Sequence, residues 1–132
     1  MPQGLLGPPN VLVVDGDPRA RAEIAAMLTA EGARATQAAS ADEAMRCLAA
    51  HRFDAAVVDY GLPRVGGVVL VVLFRGVGNG RDLPVIVAGA VSGPACERAR
   101  AHVTRLPGTV FVEKPLDRHR LVIALHGLLA PA

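Results

Sequence analysis

Short apolar runs, several closed by an acidic residue, alternate along this chain with stretches whose apolar positions return every three or four residues. Residues 11–14 form a continuous branched run ended by Asp15, the pattern of a strand buried on both faces of a parallel sheet. Asp17 followed by Pro18 supplies a helix N-cap with proline at the first helical position. Ala20, Ile24, Met27, Leu28 and Glu31 then fall at helical spacing, and Gly32 provides the stop. Residues 33–38 read as a weak strand. Ser40 with Glu43 makes a capping box that opens a helix to about residue 50, with Ala41, Ala44, Met45 and Leu48 on one face.

The second half repeats the alternation. Residues 55–58 are another buried strand, again ended by an acid, Asp59. Gly61-Leu62-Pro63 turns the chain, and Gly66-Gly67 precede an unbroken apolar run over residues 68–74. A strand over residues 84–88, a helix over 94–105 and a strand over 109–112 come next. After Lys114-Pro115 comes a helix with Leu121, Val122, Leu125, Leu128 and Leu129 on its apolar stripe. Strand and helix alternating in this way predict an α/β fold, a doubly wound parallel sheet with helices on both faces. Residues 1–9, rich in Pro and Gly, are expected to be a disordered leader, residues 10–129 one domain and residues 130–132 a tail.

Composition narrows the partners. A chain of 132 residues is one domain's worth, and 52% hydrophobic content with mean hydropathy +0.36 excludes disorder. Aromatics are 3%, with no Trp and a lone Tyr60, which argues against the base-stacking surfaces of single-strand binders. The formal charge is +2 and the basic residues are scattered, so neither a nucleic-acid nor a membrane partner is expected. The run at residues 68–74 falls far short of the roughly 20 residues a membrane span needs. The first ten residues lack the basic and apolar regions of a secretory signal. Cys47 and Cys96, without C-x-x-C spacing, read as reduced thiols, so a cytoplasmic location is expected.

One charge stands out. Thirteen of the 14 basic residues are Arg, and Lys114 alone is Lys. Ligands of open parallel sheets collect at the carboxyl ends of the strands, where this chain brings Asp15, Asp59 and Glu113-Lys114. Two converging carboxylates raise each other's pKa and call for a counter-charge. A hard divalent cation such as Mg²⁺ supplies it, together with a mobile lysine. The set suits transfer of a phosphoryl group to a carboxylate, with Asp59 as the in-line nucleophile.

In order and spacing, Val11-Leu12-Val13-Val14-Asp15, Asp59-Tyr60-Gly61-Leu62-Pro63 with Gly67, Pro84-Val85-Ile86-Val87 and Lys114-Pro115-Leu116 resemble the receiver domain of bacterial two-component response regulators. The resemblance spans about residues 10–129. It implies a flavodoxin-like sheet of order 2-1-3-4-5. It also implies phosphorylation of Asp59 by a histidine kinase or phosphotransfer protein, with Lys114 contacting the phosphoryl group. Mg²⁺ would be held by Asp15, Asp59 and the carbonyl of Gly61. The implied role is a signalling domain that assists its own phosphorylation rather than an enzyme, acting on a downstream protein that the sequence does not name. With no output domain in the chain, a free-standing receiver is expected.

The departures are specific. Receivers usually carry two adjacent acids after the first strand, and here Gly16 follows Asp15, so weak Mg²⁺ binding is expected. Asp17, one position further on, reads as a helix cap. The Thr or Ser that ends the fourth strand in receivers is Gly89, while the aromatic switch position is kept as Phe111. These changes feed a second reading, a pseudo-receiver that binds partners without phosphorylation. A third, from another class, is a phosphatase of the haloacid dehalogenase type, because Asp15-Gly16-Asp17 mimics its D-x-D motif. The four histidines (His51, His102, His119, His126) and Asp54 read as surface residues, and Gly78-Asn79-Gly80 as a flexible turn lacking the Lys and Ser/Thr of a phosphate loop. Residues 68–74 prefer strand by composition yet occupy the third-helix position. As a helix they would leave an apolar strip, from which a homodimer or hydrophobic partner is expected.

Overall fold

Every strand of the computed structural model, which describes residues 8–129, runs parallel to its neighbours. They are β1 (Asn10–Val14), β2 (Arg34–Ala38), β3 (Ala55–Asp59), β4 (Val85–Gly89) and β5 (Thr109–Glu113), in sheet order β2-β1-β3-β4-β5. The helices are α1 (Pro18–Ala30), α2 (Ala41–Ala50), α3 (Gly67–Arg75), α4 (Gly93–Thr104) and α5 (Arg118–Leu129). This is the predicted doubly wound sheet. Of the expected leader, residues 1–7 lie outside the described residues, as does the tail at 130–132. The Pro9 carbonyl accepts from Arg34 N–H at 2.8 Å.

Alternation along the strands builds two cores. Val11, Val13, Val57 and Ile86 join Ile24 and Leu28 of α1 and Leu121 and Leu125 of α5. Leu12, Val14, Val58 and Val87 join Leu48, Leu70, Phe74 and Val103 of α2, α3 and α4. Burial on both sides explains why these strands are continuous apolar runs rather than alternating ones. On α5 only Leu121 and Leu125 are buried; Val122, Leu128 and Leu129 are half-buried, because this outer helix covers the sheet with a narrow stripe.

Caps match the sequence reading with one shift. Asp17 accepts from Arg19 N–H and Pro18 opens α1. Ser40 Oγ accepts from Glu43 N–H at 3.2 Å, but Glu43 reaches back to Ala39 N–H at 2.7 Å rather than to Ser40. Residues 68–74 are helical despite their valines because Leu70, Val71 and Phe74 are fully buried, and burial outweighs local propensity. The opposite side leaves Val69, Val72 and Leu73 between 44% and 54% exposed. Gly67 is required where α3 starts, since a Cβ there would lie 2.5 Å from the Asp59 carbonyl oxygen.

Gly78-Asn79-Gly80 is a turn, as expected. It is a single 3₁₀ turn, and Asn79 Nδ2 donates to the carbonyls of Leu48 and His51 at the end of α2. Arg75 anchors the same end of the sheet, donating to the carbonyls of Gly80, Leu83 and Pro107. All four histidines are exposed, and both cysteines are free thiols.

Candidate functional site

Asp59 closes β3, and its neighbour is pinned into the sheet by Tyr60 N–H donating to the Ala88 carbonyl at 2.7 Å. Asp15 comes directly after the last residue of β1 and is 1% exposed, with its N–H on the Ala38 carbonyl. Lys114 comes directly after β5, its N–H on the Gly89 carbonyl at 2.8 Å. Sheet hydrogen bonds therefore place all three backbones, and the side chains meet above the carboxyl edge. Lys114 Nζ lies 2.6 Å from Asp15 Oδ2 and 3.1 Å from Asp59 Oδ1. Asp15, Asp59 and Lys114, singled out from the sequence, form one cluster.

The remaining acceptor positions are assigned unevenly. Asp15 Oδ1 accepts from Asp17 N–H at 2.9 Å, and Asp59 Oδ1 also accepts from Gly61 N–H at 3.2 Å. Asp59 Oδ2 has no hydrogen-bond partner among the described residues. A cavity of about 380 Å³ opens over the site, lined by Asp15, Asp59, Gly61, Pro63, Ala90 and Lys114. Burial by itself would lower the pKa of Lys114, but its hydrogen bond to Asp15 and the charge of Asp59 outweigh that and raise it. The ammonium is thus held charged between the acids.

For a metal, the oxygen donors are the two carboxylates, with Gly61 at the cavity wall. No group of three or more His, Cys, Asp or Glu suited to a metal occurs among the described residues. Hard oxygen donors with one or two carboxylates and water fit Mg²⁺ rather than a softer metal. Gly16 contributes no carboxylate, and a Cβ there would lie 3.0 Å from Pro63 Cδ. Asp17 caps α1 with its Oδ1.

Gly89 and Phe111 form a single packing unit. A Cβ on Gly89 would lie 2.9 Å from Phe111 Cε1 and 3.1 Å from Tyr60 Cβ. The Phe111 ring is buried and meets Tyr60 edge-on at 5.9 Å. Arg100 of α4 sits 5.4 Å from the ring centroid and donates to the Phe111 carbonyl at 3.3 Å. Arg21, whose Nη1 donates to the Asp15 carbonyl at 2.8 Å, and Arg100 are the contacts that sequence reading did not find: among thirteen arginines nothing marks either one.

A five-stranded doubly wound sheet with two acids and a lysine at the carboxyl ends of β1, β3 and β5 is the architecture of a CheY-like receiver. The family model for the response regulator receiver domain matches residues 11–126, and the chain belongs to that family. An uncharacterized 14.6 kDa protein from the sodA1 3′ region of Leptolyngbya boryana is 33% identical over 113 residues, covering 86% of this chain and 84% of that protein. Among solved structures, the receiver domain of sensor histidine kinase PA1611 from Pseudomonas aeruginosa, which has magnesium coordinated in its active-site cleft, is similar at TM-score 0.82. It is 26% identical, and the match covers 95% of this chain and all (100%) of that one. Chemotaxis protein CheY4 of Vibrio cholerae shares the fold at TM-score 0.81 and 21% identity, over 93% of this chain and 100% of that one. The chain is a receiver domain of two-component signalling.

Proposed function

We propose that Asp59 accepts a phosphoryl group from the phosphohistidine of a histidine kinase or phosphotransfer protein. The observation that carries this is the double contact of Lys114, which bridges Asp15 and Asp59 at the cavity while Asp59 Oδ2 has no hydrogen-bond partner among the described residues. Oδ2 attacks phosphorus, the phosphorus–nitrogen bond breaks, and the imidazole leaves with the bonding pair. The product is an acyl phosphate on Asp59. Lys114 moves its ammonium onto a phosphoryl oxygen as Oδ2 becomes esterified, which a compact head on a flexible stem allows. Asp15 and Asp59, with the Gly61 carbonyl, would hold Mg²⁺, which when bound supplies further positive charge to the phosphoryl oxygens. With two carboxylates where receivers usually offer three, its affinity is expected to be weak.

Beside the site, a mostly apolar groove of about 340 Å³ is lined by Ala20, Ile24 and Met27 of α1 and by Lys114, Pro115 and Leu116. It suits the apolar face of a helix on the phosphodonor. The chain then works as a cytoplasmic signalling domain and not as an enzyme acting on a separate substrate. The Phe111 ring packed on Gly89 favours a second reading, in which partner binding does not depend on phosphorylation. Incubation with a small-molecule phosphodonor such as a phosphoramidate, with Mg²⁺, tests the first reading. A base-labile phosphoryl group absent from Asp59→Asn supports it, and no incorporation from any donor favours the second.

A further inference from the structure

Asp15 is held at four atoms. Its N–H donates to Ala38, Oδ1 accepts from Asp17 N–H, and Oδ2 takes the Lys114 ammonium. The fourth is its own carbonyl oxygen, which accepts from Arg21 Nη1 at 2.8 Å. Strand pairing of β1 ends at Val14, so this carbonyl lies beyond the sheet ladder. Buried carbonyls need partners, and here the partner is a charged side chain reaching back from the first turn of α1. Arg21 N–H also donates to the Asp17 carbonyl at 2.9 Å, which fixes the helix turn from which the guanidinium reaches.

The glycine next to Asp15 makes that contact consequential. Gly16 has no side chain, and glycine leaves its backbone free to take many conformations. A turn of the backbone at Asp15 and Gly16 would swing the Asp15 carbonyl, carry the Asp17 N–H away from Oδ1 and release the carboxylate to turn from Lys114. The Arg21 bond opposes that rotation at the carbonyl end, and the planar guanidinium sets its direction.

We propose that Arg21 is a positioning residue of the phosphoryl site. Its guanidinium fixes the Asp15–Gly16 peptide and thereby keeps the Asp15 carboxylate facing Lys114 and Asp59. The proposal rests on Asp59 being the phosphoacceptor, since Arg21 touches neither acid's side chain and acts only through Asp15.

The test compares Arg21→Met and Arg21→Lys in the full chain with two readouts. Amide hydrogen exchange at Asp17 reports its bond to Asp15 Oδ1 and needs no phosphoryl transfer. Ala56 N–H, bonded to the Pro84 carbonyl at 2.9 Å in the buried central strand β3, serves as the control for global opening. In Arg21→Met, exchange at Asp17 should rise about tenfold with Ala56 unchanged, as for the loss of one charge-assisted bond. Phosphorylation by a small-molecule donor should slow by a similar factor, and Arg21→Lys should recover most of both. Unchanged Asp17 exchange overturns the proposal, as does a rise at Ala56 in step with Asp17, which would make Arg21 a support of the fold only. If the parent chain takes no phosphoryl group while Asp17 exchange still rises selectively, the phosphoacceptor reading fails and the hold of Arg21 on Asp15 stands.

Discussion

The ring of Phe111 occupies the space that a side chain on Gly89 would fill, with the would-be Cβ 2.9 Å from Cε1. The missing hydroxyl and the buried aromatic are therefore one feature. Restoring the family's usual residue with Gly89→Ser should push the ring outward and disturb its edge contact with Tyr60. Over-packing of this kind costs about 1–3 kcal/mol, and chemical denaturation should show a loss in that range. Unchanged stability would mean that the ring yields freely.

Lys114 separates two acids that would otherwise face each other. Lys114→Met should destabilise the fold by about 3 kcal/mol, because it strands a buried carboxylate without its counter-charge. Lys114→Arg keeps the charge but not the compact head, so stability should fall less while phosphorylation falls strongly. Denaturation and phosphoryl incorporation measured on both variants check the two effects separately.

The direction of the Lys114 shift fixes a pH dependence. Its pKa is raised in the folded chain, so the native state binds the proton more tightly than the unfolded one. The stabilisation is fully present below the ordinary lysine value of about 10.4 and is lost as pH rises through the higher folded value. The difference in stability between the parent chain and Lys114→Met should therefore stay level from neutral pH to about 10 and shrink above it.

Gly16→Asp should strengthen Mg²⁺ binding by adding a third carboxylate. The new Cβ would lie 3.0 Å from Pro63 Cδ, so the variant requires the proline ring to shift by a few tenths of an ångström. A titration tracked by amide chemical shifts should show a lower midpoint in the variant. An identical midpoint would mean that Gly16 does not limit the site.

On α3, Val72 is 54% exposed. With the face in water, Val72→Ala should stabilise the chain by about 0.5 kcal/mol through helix propensity alone. Weaker association of the variant in sedimentation experiments would instead mean that a second copy covers the face.

The fold was legible because the central strands β1, β3 and β4 are buried apolar runs, two of which stop at an acid. Asp15, Asp59 and Lys114 mark both the strand ends and the site. The rest depends on contacts between distant segments. Arg21 is one arginine of thirteen until the chain folds its guanidinium onto the Asp15 carbonyl. Asn79 looked like part of a loose turn because its partners, Leu48 and His51, lie on another element. At Gly89 the sequence shows a lost hydroxyl but not the ring that takes its place.

The central claim is that Asp59 carries the phosphoryl group, and intact mass after incubation with a small-molecule phosphodonor and Mg²⁺ tests it most directly. The account predicts a gain of one phosphoryl group, removed by hydroxylamine and absent in Asp59→Asn. No gain in the parent chain, or an equal gain in Asp59→Asn, would contradict it.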